Sequence, residues 1–470
     1  MIFPSSMKNS ITQYLKNKSF FLIGIGGAGM MGIAELLHNL GFKVRGSDIQ
    51  DNNAIKRLRK MKIKVFIGHD SKNINLKDVV VFSNAIQKNN IELKFSRQNS
   101  LTVLSRMQII AELMRLKYGI SITGSHGKTT TTSLLSHIMY KNKLDPTYLI
   151  GGKLKTDDPH VKLGNSHYLI TETDESDPSF SKLTPHLVVL TNLDREHLDN
   201  YNDSFSELEA SMLDLMNSIP FYGKVFINGD DKNSVKLLKK INRGICTYGL
   251  NKKNDILAKS IKYVDGKKMQ FDISFSNQTY KVTTFLLGKH NVYNILSALS
   301  VCLHLGIPIT KAIGSLESFY GASRRFDVYK DIIINTYKPV VIDDYGHHPT
   351  EIKSTLDTIS KLYPRKKVIM IFQPHRFSRT KAHWRLFNDV FKKPDQIILL
   401  PTYSAGEKNN LYDSSFLYEK IINKNKLLLN SLTDVKAALN KINFNNSVLV
   451  LQGAGDIKNI INILKRKDDN

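Results

Sequence analysis

Gly124-Ser125-His126-Gly127-Lys128-Thr129-Thr130 follows an apolar run, Tyr118-Gly119-Ile120-Ser121-Ile122. It precedes Thr131 to Tyr140, in which Leu134, Leu135, Ile138 and Met139 recur at helical spacing. A buried strand, a glycine turn and a helix are the setting of a phosphate loop. Glycine lets backbone N–H groups approach phosphate oxygens, and the helix N-terminus favours their charge. Lys128 would reach the β- and γ-phosphates, and the Thr129 hydroxyl would ligate Mg2+. Four residues usually separate the glycines of such a loop, whereas only Ser125 and His126 do so here. A Ser- or Thr-capped turn is the bland alternative, but Gly-Lys-Thr-Thr is an unusual way to build one. ATP is the expected ligand.

A second glycine turn lies near the N-terminus. Phe20 to Ile23 reads as a strand entering Gly24-Ile25-Gly26-Gly27-Ala28-Gly29, and a helix follows from Met30 to Leu40. A second strand, Phe42 to Gly46, leads to Asp48, about 20 residues beyond the glycines, as in a dinucleotide-binding turn. Taken alone, these features suggest a nicotinamide dehydrogenase. A dehydrogenase has no need of a second phosphate loop at residue 124, so two phosphorylated ligands are expected instead: ATP and a nucleotide-linked substrate.

Farther along, strand Tyr168 to Thr171 runs into Glu172-Thr173-Asp174-Glu175-Ser176-Asp177. A Mg2+-holding carboxylate belongs at such a strand end, and Glu172 is the nearest. Asp177 reads as a solvated loop residue, and Glu175 reads equally well as solvated or functional. Strand Leu187 to Leu190 precedes Thr191 to Asp199, where His197 is placed to contact metal or phosphate. Met269 to Phe275 and Tyr280 to Phe285 alternate as an antiparallel flap on the core. Gly288 to Asn294 opens another helix, where Asn294 could contact a base or Asn291 could cap. In the C-terminal third, strands alternate with helices, and two polar loops follow strands: Asp343 to Thr350 and Gln373 to Thr380. Arg376 and Arg379 suit a carboxylate, because guanidinium forks bind carboxylates bidentately. His347 and His348 are adjacent on an extended loop and point opposite ways, which argues against zinc.

The 470 residues predict about three domains of ~150 residues. A 41% hydrophobic content suffices for real cores, and no apolar run approaches a membrane span. Two cysteines, Cys246 and Cys302, define neither a disulfide framework nor a metal site. No secretory signal is visible, so a cytoplasmic location is expected, with Met7 an alternative start to Met1. The net charge of +25 raises nucleic-acid binding, but the cations read as scattered over solvated faces, and an anionic substrate benefits from the same field.

Together these motifs resemble the Mur ligase family, the ATP-dependent amide-forming enzymes of peptidoglycan synthesis. The resemblance spans essentially the whole chain. It rests on Gly24 to Met30, Gly124 to Thr130, Glu172 to Asp177, His197-Leu198-Asp199, His290-Asn291-Val292-Tyr293-Asn294, Arg324-Arg325-Phe326-Asp327, Asp344 to Pro349 and Gln373-Pro374-His375-Arg376. The shortened phosphate loop is this family's own form. Ser125 stands where Thr is common. No lysine matches the carbamylated lysine of other members, which fits the alanine-adding branch.

The resemblance implies three α/β domains. Residues 1–117 would form a Rossmann-like domain for the UDP substrate, residues 118–322 a phosphate-loop ATPase domain, and residues 323–470 a Rossmann-like domain for the amino acid. It implies ligation of L-alanine to the lactyl carboxylate of UDP-N-acetylmuramate through an acyl phosphate. Within the family, a ligase recycling murein tripeptide is the alternative. In this reading Gly26, Gly27, Ala28, Gly29 and Met30 approach the UDP diphosphate, with Asp48, His69, Ser83 and Arg106 as further contacts. Gly124, Ser125, His126, Gly127, Lys128, Thr129 and Thr130 hold ATP, and His290 and Asn294 touch adenine. Thr129 and Glu172 hold one Mg2+, and Glu172 with His197 a second. Arg325 meets phosphate, while His348, Arg376 and Arg379 orient L-alanine and the acyl phosphate. No membrane span and no nucleic acid are expected. Monomer and homodimer both remain open, as do the base that deprotonates the amine and the choice among alanine, serine and glycine.

Overall fold

The computed structural model describes residues 18–83, 85–150, 161–408 and 410–465; Met1 and Met7 lie outside them. Each of three α/β domains is built on its own sheet. The N-terminal sheet has five parallel strands in the order Lys64–Ile67, Lys43–Asp48, Ser19–Ile23, Asp78–Phe82, Val103–Ser105. Strand order reverses beside Ser19–Ile23, so the glycine turn that follows it opens at the switch point, where such sheets bind ligands.

The central sheet has ten strands. Tyr118–Thr123 lies between Leu187–Leu190 and Tyr168–Glu172, parallel to both. Residues following these three strands therefore converge at one sheet edge, with the phosphate loop in the middle. The expected flap is instead part of the sheet. Lys268–Phe275 and Gln278–Thr284 extend its far end, joined through a strand that sequence reading missed, Ile256–Val264. The alternation itself explains this: Met269, Phe271, Ile273 and Val282 are all fully buried, which one covered face requires.

The C-terminal sheet orders Asp327–Tyr329, Val340–Asp344, Ser447–Gln452, Lys367–Phe372, Gln396–Leu399 and Lys426–Leu428. All its pairs are parallel except the first.

The chain divides into two compact units, one of Met1–Ile261, Gln270–Thr284 and Asn291–Ala322, the other of Lys262–Met269, Phe285–His290 and Ser323–Asn470. In the first, a continuous core joins Leu22, Ile33 and Leu37 of the N-terminal domain to Val188, Leu190 and Met212 of the central one. In the second, Val341, Ile369, Ile371, Leu449 and Leu451 form the core. Each such side chain contributes about 1.5–3 kcal/mol by leaving water. These parallel strands read as unbroken apolar runs because both faces are covered.

Candidate active site

The helices that follow the two glycine loops begin without a side-chain cap, as does Ile309–Ser315 after Pro308. Ala28–Asn39 starts after Gly27 and Lys128–Lys141 after Gly127, and neither cap residue offers an acceptor. Elsewhere Asn52, Asn90, Ser105, Ser204 and Asp231 each cap a helix with a side-chain oxygen. Uncapped N-termini at both glycine loops leave N–H groups and the helix dipole for an anion.

The phosphate loop is braced by the segment after Leu187–Leu190. The His126 N–H donates to Asn192 Oδ1 at 2.9 Å, and Asn192 Nδ2 returns a bond to the His126 carbonyl at 2.9 Å. Thr191 Oγ1 donates to that same carbonyl at 2.7 Å. The Asp194 N–H donates to Ser125 Oγ at 2.8 Å. Gly124 has φ +119°, and a Cβ there would lie 2.4 Å from Thr191 Oγ1. Thr191 and Asn192 were missed as functional residues; their position at a strand end beside the loop was the available signal.

Lys128 donates to Glu175 Oε2 at 2.6 Å and to the Gly124 carbonyl at 2.6 Å. Asp177 is buried, contrary to the solvated reading, and Glu175, for which both readings stood, is fully buried. Asp177 caps the short helix Pro178–Lys182, and Tyr201 ties down the Glu175 carbonyl at 2.6 Å. Burial alone would lower the Lys128 pKa, but Glu175 and Asp174 outweigh it and hold the ammonium above the usual lysine range. Burial also opposes ionisation of Asp174, yet Lys128, His197 and the Ser176 N–H bring it down to about 2. Burial, with Asp174 beside it, pushes Glu175 up.

Thr129 Oγ1 donates to Glu172 Oε2 at 3.2 Å, so the pair expected at one cation is together. The His197 ring groups with Asp174 and Glu175, ligand atoms within 4.8 Å of one another, a set that sequence reading did not assemble. Glu175 Oε1 is buried without a hydrogen bond. Oxygen-rich donors with an unsatisfied buried carboxylate oxygen fit a hard divalent cation. Asn294 lies inside helix Lys289–His304 and borders the loop, since a Cβ on Gly127 would meet its Oδ1 at 2.4 Å. Asn291 is interior to that helix rather than its cap, and accepts from Asn294 Nδ2 at 3.0 Å.

At the N-terminal glycine turn, Asp48 Oδ2 accepts from the Gly26 N–H at 2.9 Å. Arg106 lies over Gly29, whose Cβ would fall 2.2 Å from its Nη1. Ser83 borders Gly24, its Cβ 3.3 Å from the position a Gly24 Cβ would take. His69 Nδ1 meets Glu92 Oε2 at 2.7 Å. Glu92, fully buried and unforeseen, also accepts from Ser47 Oγ at 2.5 Å and Asn73 Nδ2 at 2.9 Å.

In the second unit, Arg325 pairs with Glu351 at 3.2 Å and covers the Tyr345 ring at 5.2 Å. His348 caps helix Pro349–Leu362 in a box with Glu351. Its ring meets His383 edge-on at 4.7 Å, whereas His347 lies 5.1 Å from His375, so the adjacent histidines diverge as expected. Arg379 Nη1 contacts His375 Nδ1 at 3.2 Å. Burial, with His347 and both arginines nearby, lowers His375 to about 3. Arg376 begins helix Phe377–Val390 with φ +69°, and its Nε is buried without a hydrogen bond. His290 Nδ1 lies 2.6 Å from Ser354 Oγ, and burial lowers its pKa to about 4. His290 and Asn294 belong to different compact units.

Three family models match in succession: Mur ligase family, catalytic domain, over residues 20–118; Mur ligase middle domain over residues 122–302; and Mur ligase, glutamate ligase domain, over residues 324–455. A UDP-N-acetylmuramate–L-alanine ligase of Vesicomyosocius okutanii is 40% identical over 449 residues, spanning 94% of this chain and 96% of its own. The crystal structure of the UDP-N-acetylmuramate-alanine ligase from Thermotoga maritima superposes with a TM-score of 0.77 at 25% identity, covering 94% of this chain and 96% of that one. A murein peptide ligase from Psychrobacter arcticus shares the fold at a TM-score of 0.69 and 23% identity, covering 95% and 98%. Matched along nearly its whole length by family models and by relatives, and carrying the shortened phosphate loop braced as described, the chain belongs to the Mur ligase family.

Proposed function

We propose that this protein is the ligase that joins L-alanine to the lactyl carboxylate of UDP-N-acetylmuramate, with ATP as energy source, in peptidoglycan synthesis. The observation that carries the substrate assignment is the 40% identity, over 94% of the chain, to a ligase named for that reaction. The geometry supports the ATP half. The uncapped helix at Gly127 and the pre-charged Lys128 suit a triphosphate, and the uncapped helix at Gly27 under Arg106 suits the UDP diphosphate. In this reading residues 1–117 hold the UDP substrate, 118–322 hold ATP, and 323–470 present the amino acid.

A carboxylate is a poor acyl donor, so the lactyl oxygen takes the γ-phosphoryl group and ADP leaves. The alanine amine then attacks the acyl carbon, and phosphate departs as the amide forms. Lys128 stabilises charge on the transferring phosphoryl. Thr129 and Glu172 would hold one Mg2+, and Asp174, Glu175 and His197 form a second donor set. Mg2+ bound there would neutralise phosphate charge. Arg376, Arg379 and His348 orient L-alanine and the acyl phosphate, the guanidinium forks suiting the alanine carboxylate. Among the described residues no helix is long and apolar enough to cross a membrane. The assignment to the cytoplasm rests on the proposed reaction, which consumes ATP.

The test is phosphate release from ATP and Mg2+ with UDP-N-acetylmuramate. Release that requires L-alanine, with a product heavier by one alanyl residue, establishes the reaction. Release only with L-Ala-γ-D-Glu-meso-diaminopimelate would transfer the assignment to the recycling ligase.

A further inference from the structure

The turn Pro220-Phe221-Tyr222-Gly223 closes with the Gly223 N–H on the Pro220 carbonyl at 2.8 Å. Its central residues are aromatic and exposed, Phe221 at 90% and Tyr222 at 56%. Tight turns favour Gly, Asn, Asp and Ser at such positions, so turn chemistry does not account for the pair. The two rings pack edge to face at 5.2 Å, and Tyr222 continues to His186 at 6.1 Å.

A cationic surface adjoins this tip. Arg243 Nε donates to the Ile219 carbonyl at 2.7 Å, the Asn242 N–H donates to Asn217 Oδ1 at 3.0 Å, and Lys224 pairs in register with Gly244. These bonds, with Asn217 Nδ2 on the Lys240 carbonyl at 3.2 Å, join the turn to residues 239–244, which carry Lys239, Lys240 and Arg243 and no carboxylate. Asp231, at the start of the helix that leads to them, bonds Ser234 and the Leu193 N–H at the other edge of the sheet. Cations that read as scattered in sequence are thus gathered beside two exposed aromatic rings. The place is also specific: Lys224 starts its strand, and the phosphate loop follows the opposite ends of the parallel strands. A partner here leaves the ATP site open.

We propose that this tip and its lysines form a docking surface for an anionic lipid membrane, the rings entering the headgroup boundary while the cations meet lipid phosphates. Protruding apolar rings flanked by cations suit a planar anionic interface. Single-stranded nucleic acid would need open ring faces along a basic groove, whereas these rings pack against each other at a turn tip.

The test is sedimentation of the full chain with vesicles of phosphatidylcholine alone and of phosphatidylcholine mixed with phosphatidylglycerol. Binding is expected only to the mixed vesicles and should weaken with salt. Lys239→Glu with Lys240→Glu, and separately Phe221→Ser with Tyr222→Ser, should each lower affinity about tenfold or more, with phosphate release in solution unchanged. Phe221→Trp adds a tryptophan to Trp384, and its emission should shift to the blue on mixed vesicles. No binding by the wild type, no emission shift, or full binding by the Phe221→Ser, Tyr222→Ser variant would overturn the proposal. Binding of polyuridylate through these residues with no vesicle binding would replace it with a nucleic-acid surface.

Discussion

Lys128 Nζ sits 2.6 Å from Glu175 Oε2, which holds the lysine of the glycine loop against its own Gly124 carbonyl through a carboxylate 47 residues away. Side-chain exposure is 16% for the lysine and zero for the glutamate, so the pair sits at the inner wall of the loop. The lysine is charged before any phosphate arrives, and binding exchanges partners rather than creating a charge.

Lys128→Ala should lower turnover by at least about 1000-fold, the scale of losing a charge clamp on the transferring phosphoryl. UDP-substrate affinity, measured by calorimetry, should stay within about twofold, because the site proposed for it, around Gly26 and Arg106, is built on a different sheet. Near-normal phosphate release by this variant would remove Lys128 from the mechanism.

Gly127→Ala should weaken ATP binding and destabilise the fold. Gly127 has φ +85°, which costs a residue with a Cβ about 1–2 kcal/mol, and the new methyl would strike Asn294 Oδ1. A drop of several degrees in Tm together with a raised KM for ATP is expected. A fully stable variant with unaltered KM would refute the close packing of loop and helix.

Asp174 supplies a pH test. Its folded pKa, about 2, lies below the ordinary value of 3.8, so its contribution is complete above the ordinary value and vanishes as pH falls toward 2. About 2 kcal/mol should separate wild type from Asp174→Asn in urea unfolding at pH 6, shrinking between pH 4 and 2. A difference that stays constant down to pH 2 would contradict the assigned cause.

Glu92→Ala removes the shared acceptor of Ser47, His69 and Asn73. The expected loss is about 3 kcal/mol, from orphaned buried donors. KM for UDP-N-acetylmuramate should rise as His69 loses its anchor, with KM for ATP unchanged. If KM for the UDP substrate does not move, His69 is structural.

Arg376→Ala should raise the KM for L-alanine at least about tenfold, the loss of a charged hydrogen bond, and leave ATP affinity intact. Equilibrium ATP binding and initial rates separate the two. Selective loss of ATP affinity would place Arg376 in the wrong site.

What the amino-acid sequence determined by itself is local. Gly24 to Gly29 and Gly124 to Thr130 announce strand, turn and helix through spacing alone, because glycine, lysine and threonine act on the backbone beside them. Apolar runs such as Leu187–Leu190 located buried strands, and Glu172 was legible as the carboxylate at a strand end. Tertiary structure decided what depends on distant segments meeting. Burial of Glu175 against Lys128, the grouping of His197 with Asp174, and the grip of Thr191 and Asn192 on the loop all follow from placing three strands side by side. Glu92 beneath His69 and Arg243 at the base of the Phe221 turn are of the same kind. A charged residue's sequence neighbours do not reveal whether it will be solvated or paired. That is settled by which side chain, tens of residues away, comes to share its desolvated space.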